Sequence, residues 1–280
     1  MTAAPAPVDP TVAGRTVALD WVEANGYPTK RHDAWRYAPH QQLTALSFGP
    51  PVAMASSVAD LEAQIPVLDG PRIVVVNGVV DVELSSMTGP AGLHLSSMLD
   101  ARREQPERIA SHFDRGDSQI TDAYMALNLA FGGDGAVVLI DDDVVIDVPI
   151  HIVDIEVPDE TRNASCTGVV IELGARSSAT VVETRIGVGA EFGGSNIRTT
   201  VTLGNAASLE HVLLQDVPPS HIHLSGVDVH QAADSRFLAR SFNLGASYGR
   251  AAYDVDLAGP GAHVDLSGLF FGFGDQVLDQ

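Results

Sequence analysis

The sequence predicts a mostly β protein with an N-terminal helical part, its β portion wound as a β-helix, a solenoid of stacked coils. Two observations carry this. From Ala136 onward short apolar strands follow one another with no helical period of useful length between them, which disfavours βαβ crossovers. A corner of leucine, glycine and small residues followed by alternating apolar positions also recurs. It occurs at Leu173-Gly174-Ala175-Arg176-Ser177-Ser178, at Leu203-Gly204-Asn205-Ala206-Ala207-Ser208 and, more loosely, at Leu257-Ala258-Gly259-Pro260-Gly261-Ala262. Successive copies begin 30 and 54 residues apart, and the second interval is close to two turns of ~27, inside the range of solenoid repeats. A barrel or a sandwich also suits such strands and turn signals; the repeat favours the coil.

Three segments follow from this reading: an N-terminal arm with short helices over residues 1–70, a hairpin plus a helical segment over 71–135, and the β-helix core over 136–280. The first dozen residues are rich in Pro and Ala and should be loosely attached. From Thr11, the spacing of Val12, Val17, Leu19 and Val22 before Gly26 predicts a helix with a glycine just past its end. Trp35 and Tyr37, two residues apart before Pro39, predict an extended stretch pinned to the body. Asn77-Gly78 between two apolar runs predicts a two-residue hairpin turn. Residues 96–131 read as helical, most clearly where Ile120, Ala123, Leu127, Ala130 and Phe131 share a face ahead of Gly132-Gly133. Strands are then expected at Ala136 to Ile140, Val144 to Ile146, Ile150 to Val153, Val169 to Leu173, Ala179 to Glu183, Ile197 to Leu203 and Leu209 to Leu214.

Composition removes several function classes. The chain has 16 Lys+Arg against 36 Asp+Glu, a formal charge of −20, so a nucleic-acid partner is not expected. Apolar residues make up 45% and charged residues 19%, ample material for a large core. No apolar run approaches the ~20 residues of a bilayer span, and the N-terminus lacks a basic region followed by an apolar one, so a cytoplasmic address is expected. Cys166 is the single cysteine, which excludes an intrachain disulfide or a cluster site built wholly from cysteines of this chain.

The densest polar set is His211, His221, His223 and His230, with Asp216 and Asp228 nearby. Imidazole is the commonest metal ligand, and His221-Ile222-His223 places both rings on one strand face, as in a cupin metal site. The glycine and glutamate of the cupin pattern are missing, so these residues also read as surface or interface histidines. Asp141-Asp142-Asp143 suits a solvated turn, or the paired acids of a polysaccharide-cleaving β-helix. Gly245-Ala246-Ser247-Tyr248-Gly249, followed by Asp254 and His263, matches a nucleophile elbow but lacks the flanking strand and helix, so a turn is expected. The glycine-rich stretches lack a P-loop ending. Cys166 reads as a small residue entering a strand.

Several stretches together resemble the SufB/SufD family of iron-sulfur cluster assembly proteins, its SufD members most. They are Ala34-Trp35-Arg36-Tyr37-Ala38-Pro39; Ala126-Leu127-Asn128-Leu129-Ala130-Phe131 with Gly135 to Ile140 and Val148-Pro149-Ile150-His151-Ile152; and Leu257 to Ala262 with Leu266-Ser267-Gly268-Leu269 and Asp275 to Asp279, in family order. The resemblance implies a right-handed parallel β-helix and a non-catalytic subunit that pairs with SufB and with the ATPase SufC. It implies no stably bound cofactor, the iron-sulfur cluster being held transiently in the complex with SufB. Family members continue past the position of Gln280 into further coils and a helical region that docks SufC, so a C-terminally incomplete β-helix is expected. On its last coil Leu269, Phe271, Phe273, Val277 and Leu278 are the expected interface, open to a partner or to self-association. The alternatives are a carbohydrate-active β-helix enzyme using Asp141 to Asp143, and a His-rich metal-binding β protein.

Overall fold

Strand pairing in the computed structural model, which describes residues 10–49, 58–113, 120–158 and 163–280, sorts the strands into two sheets by turns along the chain. The first holds β1 (Arg72–Val76), β2 (Val79–Ser86), β5 (Ile150–Glu156), β7 (Ser178–Gly187), β9 (Ser208–Asp216), β11 (Arg236–Asn243) and β13 (His263–Phe270). The second holds β3 (Leu93–Ser97), β4 (Gly135–Ile140), β6 (Ala164–Leu173), β8 (Gly193–Leu203), β10 (His221–Gln231), β12 (Tyr248–Leu257) and β14 (Val277–Asp279). From β4 on, each strand pairs in parallel with the strand two places along the chain, as a solenoid requires. The antiparallel pairs are β1 with β2, through the expected Asn77-Gly78 turn with both residues at positive φ, and β3 with β4.

One kind of corner joins the second sheet to the first in every coil. Its tip residue adopts left-handed backbone: Asp143, Arg176, Ala206, Asp234 and Gly261 have φ of 61°, 59°, 57°, 58° and 75°. The corners stack through main-chain hydrogen bonds, for example from Arg176 N to Asn205 O at 2.8 Å and from Ala206 N to Ala233 O at 2.9 Å. The 54-residue interval contains a corner that the sequence pattern missed, at Gln231-Ala232-Ala233-Asp234-Ser235, which lacks both leucine and glycine.

The alternation of side chains divides each strand between lumen and outer face. Beside the corners the lumen is apolar, packed with Ile171, Leu173, Ala179, Val181, Val201, Leu203, Leu209, Val227, Val229 and Phe237. The outer face of the second sheet is covered by a short turn at Asp33–Trp35, α2 (His40–Leu43) and α6 (Ala123–Phe131), with Leu224, Ile222 and Tyr248 meeting Trp35, Leu43, Tyr124 and Leu127, and α1 (Pro10–Asn25) packs on α6. Asp122 caps α6 by accepting from Tyr124 N and Met125 N, both at 2.9 Å. Buried Asn128 then ties the helix to the sheet, donating to Thr167 O at 3.0 Å and Asn196 O at 2.7 Å, while Asn196 donates back to Tyr124 O. The outer face of the first sheet carries α3 (Val58–Glu62), whose Leu61 packs with Ile65 on Val74, Val153 and Ile155.

Three local expectations need correction. The stretch at Trp35 is pinned but turned, not extended: Trp35 N bonds to His32 O, and the buried indole packs 4.9 Å from the Tyr124 ring with Arg250 on its face. The 96–131 segment begins as strand β3 and continues as α4 (Met98–Glu104) and α5 (Pro106–Phe113), broken where Pro106 has no N–H to donate. Val144 to Ile146 forms only an isolated bridge from Val145 to Ser178, because five steps of chain separate Val145 from Ile150 where three separate their partners Ser178 and Val181, so the ladder is interrupted. Gly26, at φ 71°, stops α1 as expected. Expectations for the first nine residues lie outside the described residues.

Gly135 has φ 142°, and a Cβ there would overlap the Gly168 carbonyl, whereas a Cβ at Gly14 in α1 meets nothing within 4 Å. Gly135→Ala should therefore lower stability by about 2 kcal/mol or more, and Gly14→Ala should raise it by about 0.5–1 kcal/mol, both read from urea unfolding midpoints. Asn128→Leu should cost about 2–3 kcal/mol by leaving strand carbonyls unsatisfied, measured the same way.

Candidate functional site

Away from the corners the lumen changes character. The same inward alternation that delivers valines and leucines beside the corners delivers Asp154, Glu156, Glu183, Arg185, Gln215, Ser241 and Asn243 from the first sheet at the far end of the strands. Ser165, Thr167, Ser195, Thr199, His221 and His223 face them from the second, and all of these side chains are buried.

Glu183 is the hub. It pairs with Arg185 and accepts from His211 Nε2 at 2.7 Å and from Thr199 Oγ1 at 2.9 Å, so one carboxylate joins three strands across two sheets. His223 Nδ1 lies 2.8 Å from Ser195 Oγ, and His221 Nδ1 is 3.7 Å from Glu156. Burial disfavours the charged form of several of these groups. Burial first, then the nearby Arg185 charge, depresses both His211 and His223 to about 3. Burial lowers Arg185 to about 10, against the pull of Asp154 and Tyr253. Burial also raises Asp154, and raises Glu156 well above the usual carboxylate range with the help of Asp154. At neutral pH the imidazoles are therefore neutral while Arg185 keeps its charge.

Several of these groups have no protein partner for part of their hydrogen-bonding capacity. Arg185 Nε and Nη1, His211 Nδ1, Gln215 Nε2, His223 Nε2 and Asn243 Nδ2 are buried without one. At about 1–3 kcal/mol for each unsatisfied atom, the total would rival the roughly 5–15 kcal/mol by which a domain is stable.

The structure brings three of the four candidate histidines into this region. His221 and His223 share a strand face, as expected, and that face is the lumen. His230, seven residues on from His223, points outward and pairs with exposed Asp256 at 3.0 Å. Among the described residues no three His, Cys, Asp or Glu side chains form a group that could hold a metal ion. Asp141, Asp142 and Asp143 belong to a corner: they bond to Arg108, to Ala175 N and to Arg176. Ser247 sits just after the left-handed turn residue Ala246 and donates to His221 O at 2.8 Å, the turn that was expected. Cys166 is buried under α6, its Sγ 3.7 Å from Leu127 O. Leu269, Phe271, Phe273 and Val277 are exposed on the last coil, and Leu278 is half-buried beside Gly249.

The sequence reading passed over Glu183 and Arg185. The signal was present, since Ala179, Val181, Glu183 and Arg185 share one phase, but a charge in a strand is ordinarily read as outward. A second concavity, about 1030 Å³, lies between the N-terminal segment and the outer face of the second sheet. Its walls include Trp21, Trp35, Arg198, Asp228 and Arg250. Its two arginines are engaged, Arg198 with Asp228 and Arg250 with Asp279.

Comparison with known proteins matches the chain to two family models. Residues 8–152 match the family model described as the SufBD protein N-terminal region, and residues 156–280 match that of the SUF system FeS cluster assembly SufBD core domain. An iron-sulfur cluster assembly SufBD family protein of Synechocystis sp. is 23% identical over 275 residues, covering 95% of this chain and 60% of that protein. The iron-sulfur cluster assembly protein SufD of Escherichia coli is 24% identical over 257 residues, covering 91% of this chain and 58% of that protein. The chain thus spans about three fifths of the length of these relatives.

His223→Asn should keep a hydrogen bond to Ser195 without titrating. A histidine with a depressed folded pKa contributes stability that is present above pH ~6.5 and lost as pH falls toward 3. The variant should therefore lose about 1.4 kcal/mol less stability per pH unit than the parent between pH 6 and 4, as urea titrations would record. Glu183→Ala strands a buried arginine and should cost about 3–5 kcal/mol, whereas Asp256→Ala at the exposed pair should leave the midpoint unchanged.

Proposed function

The chain belongs to the SufBD family of SUF-system iron-sulfur cluster assembly proteins, and on that premise we propose that it is a non-catalytic, SufD-like accessory scaffold of cluster assembly. The observation that carries this reading is that the two family models tile the chain from residue 8 to residue 280, over a solenoid whose chemically suggestive residues are committed to internal contacts. Asp141 to Asp143 hold a corner and Ser247 a turn. His211 turns its Nε2 to Glu183.

In this role the chain works with a SufB-like subunit and a SufC-like ATPase, and ATP hydrolysis belongs to the latter. The cluster is cargo, held transiently in the complex with the SufB-like subunit and never resident on this chain alone. The exposed apolar side chains Leu269, Phe271, Phe273 and Val277 supply the contact surface of the last coil, toward another subunit or a second copy. No helix among the described residues is long and apolar enough to cross a membrane, and a charge of −20 repels nucleic acid; the work is assigned to the cytoplasm.

Co-expression of the tagged chain with SufB-type and SufC-type subunits tests the proposal. The SufB-type subunit should co-purify at a fixed ratio, and ATP hydrolysis should appear only in preparations that contain the SufC-type subunit. Retention of neither subunit, hydrolysis of ATP by the chain alone, or cleavage of polysaccharide by it would contradict the reading.

A further inference from the structure

We propose that the polar half of the lumen is a binding site for water, a file of ordered molecules lying along the stacked side chains of Arg185, Gln215 and Asn243. These three residues are register partners in consecutive coils, so they form one column at strand spacing. Each is at least nine-tenths buried, and each presents nitrogen to the lumen with no protein acceptor: Arg185 Nε and Nη1, Gln215 Nε2 and Asn243 Nδ2.

The orientation of Gln215 is fixed. Its Oε1 accepts from Leu244 N and Gly245 N, both at 3.1 Å, so its Nε2 must be the atom left facing inward. His211 presents the opposite need. Its Nε2 faces the Glu183 carboxylate, which can only accept, so Nε2 carries the proton and Nδ1 is a buried lone pair without a donor. His223 Nε2 adds another unpartnered atom from the facing sheet.

This mixture selects the ligand. An anion would serve the arginine and amide donors but repel the His211 lone pair and the Glu183 carboxylate. A cation would meet Arg185. Water both donates and accepts and is neutral, so one kind of molecule serves the donors and the lone pair alike. The inference is independent of the role in cluster assembly.

A crystal structure of the full chain at high resolution, with anomalous data from crystals soaked in sodium bromide, tests it. Water density should lie about 2.7–3.2 Å from Arg185 Nε, Gln215 Nε2 and His211 Nδ1, with no anomalous peak there. Direct protein partners closing on these atoms, a dry gap, or bound bromide would each overturn it. In solution, rotating-frame cross-peaks should connect water with the Arg185 Nε–H and Gln215 amide protons; their absence from otherwise resolved signals would also overturn it.

Discussion

Each coil of this protein has to meet its neighbours above and below in the same register, because the parallel ladders run from coil to coil through both sheets. A residue inserted in one strand would turn every following inward side chain outward. The left-handed corner makes that register reproducible. Five successive tips take the same backbone conformation with Asp, Arg, Ala, Asp and Gly, so the position is set by the hydrogen bonds between corners, and only Gly261 takes the conformation without steric cost.

Register has a chemical consequence for the interior. Side chains at equivalent inward positions stack into columns, so a polar residue in one coil can be satisfied only by polar residues in the next or by something small between them. Beside the corners the columns are apolar and close on themselves. At the far ends, Asp154, Arg185, Gln215 and Asn243 follow one another in one column, and the Glu183–Arg185 pair bridges toward Thr199 on the opposite sheet. The interior thus combines a packing core with a buried electrostatic network, in which removal of one member leaves the others without compensation.

Much of the architecture could be read from local chemistry. Asn77-Gly78 marks a real hairpin, Gly26 ends α1, and the face of α6 shared by Ala123, Leu127 and Ala130 is buried. The leucine-glycine corners at 173 and 203 are stacked as the repeat demands. The corner at Gln231 was hidden because its composition departs from the pattern while its backbone does not. The polar lumen was half visible: His221 and His223 share a face, yet which face depends on register with strands far away in sequence. Glu183 and Arg185 keep the inward phase of Ala179 and Val181, but the phase alone does not show that they are buried, since burial of a charge is decided by partners on other coils and not by neighbours in the chain.

A double-mutant cycle between Glu183 and His211 tests the central claim, that coil register brings these two side chains, 28 residues apart in sequence, together in the interior. Truncating each singly and both together should yield a coupling energy of about 1–3 kcal/mol. Additive effects, with coupling below about 0.3 kcal/mol, would mean that the two never meet and that the stacking described for the coils is wrong.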